Sequence, residues 1–203
     1  MKKTLAVLLS VTVGVMAGAL SGFLGGSTDK IIQWLMTVIW SVPGIILVIA
    51  ISLALQQKGV GVLFIAIGLT TWVEVARLVR GEMIALRQMT FVEAATALGL
   101  PRSRILVRHM LPNLLGPIIV VATANFASAI LMEAGLSFLG LGVQPPAPSW
   151  GMMVAEGFQL LGSSASWYLV LWPSLSICVL VMALNLVGNG LRDAFDPRTL
   201  VLK

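Results

Sequence analysis

The charged residues of this chain fall in clusters, and long uncharged windows lie between them. Lys, Arg, Asp and Glu are absent from residues 4–28, 31–57, 110–132 and 157–191, and a shorter window covers 59–73. A helix crosses the hydrocarbon of a bilayer in about 20 residues, so these windows predict transmembrane helices. Five spans follow, over roughly 4–25, 31–56, 59–80, 112–133 and 167–190. The third runs past its window because Glu74 and Arg77 can reach the interface from a span end. Residues 134–155 are also uncharged, but they contain "GLSFLGLGVQPPAPSWG". Such a Gly- and Pro-rich backbone cannot satisfy itself in lipid. It predicts an extracytoplasmic loop or a re-entrant segment packed against protein, over about 134–166.

Composition agrees. Hydrophobic residues make up 58% of the 203 positions and charged residues 10%, with mean hydropathy +1.00. A soluble domain carries about 25% charge, so the chain is read as an all-α polytopic membrane protein forming one domain over 1–203. The net charge is +5. In a soluble protein that would suggest nucleic acid. In a membrane protein it reports basic residues held on the cytoplasmic side, so lipid is expected as a partner and nucleic acid is not. The single cysteine, Cys178, lies in an apolar run and supports no disulfide framework.

Charge also sets the orientation. With the C-terminus cytoplasmic, ten of the thirteen basic residues face the cytoplasm: Lys30, Arg77, Arg80, Arg87, Arg102, Arg104, Arg108, Arg192, Arg198 and Lys203. Only Lys2, Lys3 and Lys58 fall outside. The opening "MKKTLAVLLSVTVGVMAGA" has the look of a signal peptide. Cleaved, or retained with its lysines inside, it would put the arginine-rich stretch on the wrong side. An outside N-terminus is consistent, and it leads to the expectation of a further span upstream, in a six-span protein of which this is a shortened form.

The densest polar stretch is "MTFVEAATALGLPRSRILVRHMLPNLLGP", residues 89–117. "TFVE" fits a capping box, with Thr90 as N-cap and Glu93 reaching back. The first helix then runs to Leu98, and Gly99 suits the left-handed position that ends it. Pro101 suits the first turn of a second helix running to about Met110, with Pro112 and Pro117 near the start of the next span. The result is a cytoplasmic helix–turn–helix elbow over about 90–111. Ala94, Ala95 and Ala97 keep it slim enough for a partner surface to approach closely. The competing reading is a solvated basic loop that only sets topology.

"EAATALGLPRSRILVRHMLPN" resembles the EAA loop of permease subunits in binding-protein-dependent ABC importers. The matching residues are Glu93, Ala94, Ala95, Gly99, Leu111 and Pro112. "LSFLGLGVQPPAPSWGMMV" and "NLVGNGLRDAFDPR" are similar, more narrowly, to the C-type permease of dipeptide, oligopeptide and nickel importers. The resemblance covers about Leu5 to Arg198. It departs from the family in places. The family usually has a further span and a loop with Gly-Thr-Asp and Gly-Arg-Asp elements ahead of the region matched here, which agrees with the expectation of an upstream span. Trp34 and Thr37 lie where an Arg and an Asp are usual, and Gly188-Asn189-Gly190 replaces Gly-Asp-Gly.

The resemblance implies a type I ABC importer permease fold without its usual first span, in a bacterial cytoplasmic (inner) membrane. It implies a second permease subunit, two ATPase subunits and an external substrate-binding protein. ATPase coupling would fall to Glu93, Ala94, Ala95, Gly99, Leu100, Pro101, Arg104 and Pro112. ATP and Mg would sit on the partner ATPases, since this chain has no G-x-x-x-x-G-K-[ST] sequence. No cofactor or metal is expected on the chain itself. The solute would be a di- or oligopeptide, or nickel.

Two other classes compete with this reading, a membrane scaffold without a transport path and an intramembrane enzyme. A triad of Ser137, His109 and Glu133 would be needed for the latter, but the topology puts His109 and Ser137 on opposite sides of the membrane. As the only histidine, His109 points to an interfacial or partner-facing role rather than a zinc site. Glu74 and Glu133 are expected near span ends, at the inner and outer interface respectively. Asn125 and Asn185 either line a path or bond neighbouring helices, and bonding is the favoured expectation.

Overall fold

The computed structural model describes residues 2–55, 60–160, 162 and 166–195. Every regular element among them is helical. At the centre, α1 (Lys2–Leu24) packs along α4 (Val60–Arg87). The contact is a seam of glycines. Gly14, Gly18 and Gly22 recur every fourth residue and share one face of α1. A Cβ placed on them would lie 2.5 Å from Val75 Cβ, 2.5 Å from the Ala76 carbonyl oxygen and 2.7 Å from Met83 Cβ. Lipid supplies no hydrophobic drive between helices, so close backbone approach across small residues takes its place. Position 14 meets 75 and position 22 meets 83, which makes the two helices parallel.

The charges of α4 are absorbed by the neighbours of this seam. Arg80 donates from Nε and Nη2 to the two Asp29 carboxylate oxygens at 2.7 and 2.8 Å. Ser21 donates to the same carboxylate. Arg87 donates to the Gly22 carbonyl at 3.3 Å, placing a cation at the C-terminal end of α1. The Arg77 guanidinium sits 4.1 Å from the centre of the Trp40 ring. With its arginines satisfied, α4 continues to Arg87 instead of ending near 80.

The expected single span over 31–56 is broken. α2 (Gly26–Trp40) and α3 (Gly44–Ala54) meet at 88°. Pro43 lies at the corner, with φ −54° and ψ 129°. It has no N–H to continue α2, and its extended backbone turns the chain into α3. Positions 56, 58 and 59 of the expectations lie outside the described residues, as do Arg198 and Lys203.

After α4 come α5 (Thr90–Ala97) and α6 (Arg102–Arg104). α6 continues through a π-helical stretch, Ile105–Met110, and a 3-10 turn, Leu111–Leu114, into α7 (Leu115–Phe138). α7 runs past the expected end at 133 because Ala134, Leu136 and Ser137 are still buried. Gly140, at φ 73°, then turns the chain, and Leu141 N–H donates back to the Leu136 carbonyl at 2.9 Å. The expected loop over 134–166 also holds a helix, α8 (Trp150–Gln159), capped by Ser149, whose Oγ accepts from Gly151 N–H at 3.2 Å. α9 (Ser166–Phe195) packs along α7, and Gly188 meets Thr123 there.

Among the described residues four helical segments are long and apolar enough to cross a membrane, and the bent α2–α3 pair makes a fifth. The core lies along α4. Leu63, Phe64 and Ile67 pack with Val48 of α3 and Leu136 of α7. Toward the other end Val75, Val79 and Met83 pack with Val92 and Ala95 of α5. The two asparagines do not bond neighbouring helices as expected. Asn185 donates to Val181 within α9 at 3.0 Å, and buried Asn125 leaves Nδ2 without a partner among the described residues.

Candidate functional site

The elbow at the end of α4 is built from the inside outward. On its inner side Val92 and Ala95 of α5, with Ile105, Met110 and Leu114 beyond, are buried against α4. On its outer side Glu93, Ala94, Ala97, Leu98 and Gly99 are exposed, Leu98 to 81%. The turn between the halves follows from Gly99, at φ 74°. Gly99 N–H donates to the Thr96 carbonyl at 2.9 Å and Leu100 N–H to the Ala95 carbonyl at 3.2 Å. These are the two bonds of a Schellman motif, in which glycine carries the left-handed position without strain. Pro101, at φ −64° and ψ 141°, then opens α6 as the residue before its first turn.

Two local expectations need correction. Met89 (φ −80°, ψ 142°) caps α5 in place of Thr90, and no side chain bonds the cap. Thr90 is the first helical residue, so the capping box does not form and Glu93 is left free to face outward. The second half is also not a plain α-helix. Pro112 offers no N–H to the carbonyl of Arg108 and crowds it, and the chain passes through wider π and then tighter 3-10 turns instead. Asn113 Nδ2 donates to the His109 carbonyl nearby. Arg104 and Pro112 are both exposed, and Leu100 is half-buried beneath the turn.

A second candidate lies at the corner of the broken helix. A cavity of about 250 Å3 opens there, lined by Trp40, Pro43, Thr70, Thr71, Glu74 and Met132 among others. Glu74 was expected at the inner end of a span. Since α4 reaches Arg87, Glu74 instead lies half-way along it. The hydroxyls of Thr70 and Thr71 both donate to the Ile67 carbonyl, at 2.9 Å each, which leaves their oxygen lone pairs available. The sequence held signals for this site in Pro43-Gly44 and in Glu74 directly after the uncharged window 59–73, but charge-free windows do not register either.

The third polar group is at the far end of α7. Buried Glu133 accepts from Ser137 at 2.9 Å and from Ser149 at 2.7 Å through one oxygen, Oε1. Ser137 Oγ in turn accepts from Val143 N–H at 3.0 Å. This bracket fixes the Gly/Pro loop onto α7 and keeps its backbone satisfied. Glu133→Ala is expected to cost about 1–3 kcal/mol by leaving buried hydroxyls unpaired, read as faster proteolysis of the 139–149 loop. His109 lies about 40 Å from Ser137 at 1.5 Å rise per residue, so no triad forms.

Residues 12–201 match the family model described as binding-protein-dependent transport system inner membrane component. The chain is 40% identical to the oligopeptide transport system permease protein OppC of Bacillus subtilis, over 95% of this chain and 62% of that protein. It is 38% identical to the glutathione transport system permease protein GsiD of Pectobacterium atrosepticum, over 95% of this chain and 63% of that protein. It thus spans under two thirds of the length of these curated relatives. A structure of the MetNI methionine ABC transporter, in an inward-facing conformation, superposes with a TM-score of 0.78 at 16% identity, covering 96% of this chain and 91% of that one. At that identity the match speaks for the fold alone. The corner in the second span, the helical elbow and the order of spans are thus set in a known architecture, and the chain belongs to the binding-protein-dependent transport system inner membrane component family.

Proposed function

We infer that the chain forms the membrane-spanning half of an ATP-driven importer for a peptide-like solute. Its partners are a second permease subunit, two ATPase subunits that hold ATP and Mg, and an external binding protein. The permeases named above serve oligopeptides and glutathione, which favours a peptide over nickel. The observation that carries the reading is the two-sided elbow. Its outer side presents Glu93, Ala94 and Leu98, and its inner side is locked by Val92 and Ala95 to α4. An ATPase gripping the outer side moves the α1–α4 pair as one body. The α2–α3 corner, tied to that pair by Asp29 and Arg80, follows. Such motion opens the cavity to one side of the membrane and then to the other.

The chain belongs in the bacterial cytoplasmic membrane, with the elbow and the C-terminus inside. Ser103→Cys on the elbow and Leu141→Cys on the loop, each with Cys178→Ser, are expected to react with an impermeant maleimide from opposite sides. Labelling of Ser103→Cys from outside intact cells overturns the orientation. The function is tested by reconstituting the full complex in proteoliposomes. ATP-dependent accumulation of radiolabelled alanyl-alanine is expected, and accumulation of nickel without any peptide would reverse the choice of solute.

A further inference from the structure

Glu74 is a charged group half-way along α4 whose place the fold alone does not explain. The two arginines that follow it in α4 are engaged elsewhere: Arg80 with Asp29, Arg77 with the Trp40 ring. Glu74 itself has no hydrogen-bond or ion-pair partner among the described residues, and it is accessible in the chain taken alone. A carboxylate half-way along a membrane helix is costly when it faces lipid, so such groups face a polar cavity or a partner. Glu74 does line a cavity, of about 250 Å3, and Thr70, Thr71 and Trp40 line it too. The corner of a broken helix at membrane depth is also where unsatisfied backbone is tolerated, because it lines a water-filled space.

We propose that Glu74, with the Thr70 and Thr71 hydroxyl oxygens, forms a subsite for the free amino terminus of the transported peptide. The chemistry matches in charge, in kind and in size. An ammonium carries three donors and no acceptor. The site offers a carboxylate and two hydroxyl oxygens whose own protons are already committed to the Ile67 carbonyl. They are therefore held as acceptors. Trp40 adds an aromatic face suited to a cation, although in this structure Arg77 occupies it. The cavity holds an amino-terminal residue and its peptide bond, not a folded chain. The solute is recognised by a feature common to all unblocked peptides, which leaves the side chains unread. This inference rests on the importer reading.

The test uses the full complex with its binding protein in proteoliposomes, with radiolabelled alanyl-alanine as the probe. Glu74→Gln keeps the shape and removes the charge. It is expected to lower uptake tenfold or more, with recovery of the complex unchanged. Glu74→Asp is expected to restore at least a third of the wild-type rate. A second measurement does not depend on turnover. Val42 lines the same cavity and is exposed. In a Val42→Cys, Cys178→Ser complex, alanyl-alanine is expected to slow maleimide labelling, and N-acetyl-alanyl-alanine is not. Adding Glu74→Gln is expected to remove the protection. Uptake by Glu74→Gln within twofold of wild type, or equal protection by the acetylated peptide, overturns the subsite. Absence of uptake by the wild-type complex overturns the importer reading instead.

Discussion

Gly18→Ala will destabilise the protein by about 1–3 kcal/mol, the usual cost of overpacking a tight contact, while Gly81→Ala will not. The two substitutions add the same methyl to the same helix pair. In a helix interior the change by itself is favourable by about 0.5–1 kcal/mol. At Gly81 nothing lies within 4 Å of the new Cβ, so that gain stands. At Gly18 the Cβ would lie 2.5 Å from the Ala76 carbonyl oxygen, which is backbone and cannot rotate away. α1 must lift off α4, and the contacts at Gly14 and Gly22 open with it. Gly18→Val should be worse, to the point of poor recovery from the membrane. Thermal unfolding in detergent reads the difference. Equal midpoints for Gly18→Ala and Gly81→Ala would mean that the seam contributes nothing.

Leu98→Glu is expected to abolish capture of the ATPase subunits and peptide uptake, with membrane abundance unchanged. Leu98 is 81% exposed, so the chain itself loses no packing when the side chain is replaced. An apolar residue held out by a Schellman turn is placed to enter a partner's pocket, and anchors of that kind are worth about 2 kcal/mol or more. That corresponds to roughly a 30-fold loss of affinity. Glu93→Ala should act on capture alone, since Glu93 takes part in no cap. Gly99→Val attacks the turn instead, because a β-branched residue is strained at φ 74°. A pull-down beside a membrane-fraction immunoblot separates these effects. Normal capture by Leu98→Glu would reduce the elbow to a solvated loop.

Much of this was legible in the sequence, with instructive gaps. The uncharged windows located the apolar helices because lipid punishes charge. The same rule misjudged α4, since Arg77, Arg80 and Arg87 are tolerated on a long helix when they meet Trp40, Asp29 and the Gly22 carbonyl. Arg80 and Asp29 are 51 positions apart, and no local pattern joins them. The turn between α5 and α6 was legible because Gly99 and Pro101 act on their own backbone. The cap was misplaced by one residue, since Thr90 fits the capping pattern as well as a first-turn position. Two signals were present and unread. Pro43 announced the corner in the second span, and the four-residue glycine period announced the seam. Windows of average charge are blind to both, because each depends on single positions.

The parallel seam also constrains how the protein is made. The Gly14, Gly18 and Gly22 face of α1 is not filled by α2, its neighbour in the chain, which meets α1 near its C-terminal end through Ser21 and Asp29. That face waits for α4, and Gly14 and Val75 are 61 positions apart (75 − 14). Ribosomes add about 5–20 residues per second, which sets a delay of roughly 3–12 s. During that interval the newly inserted helix offers lipid a backbone strip with almost no side chains to bury, and the bent α2–α3 corner enters beside it. The insertion machinery must shelter both until α4 arrives. Ribosome stalling between residues 40 and 75 should therefore leave a protease-sensitive nascent chain, and release of the stall past residue 87 should protect it.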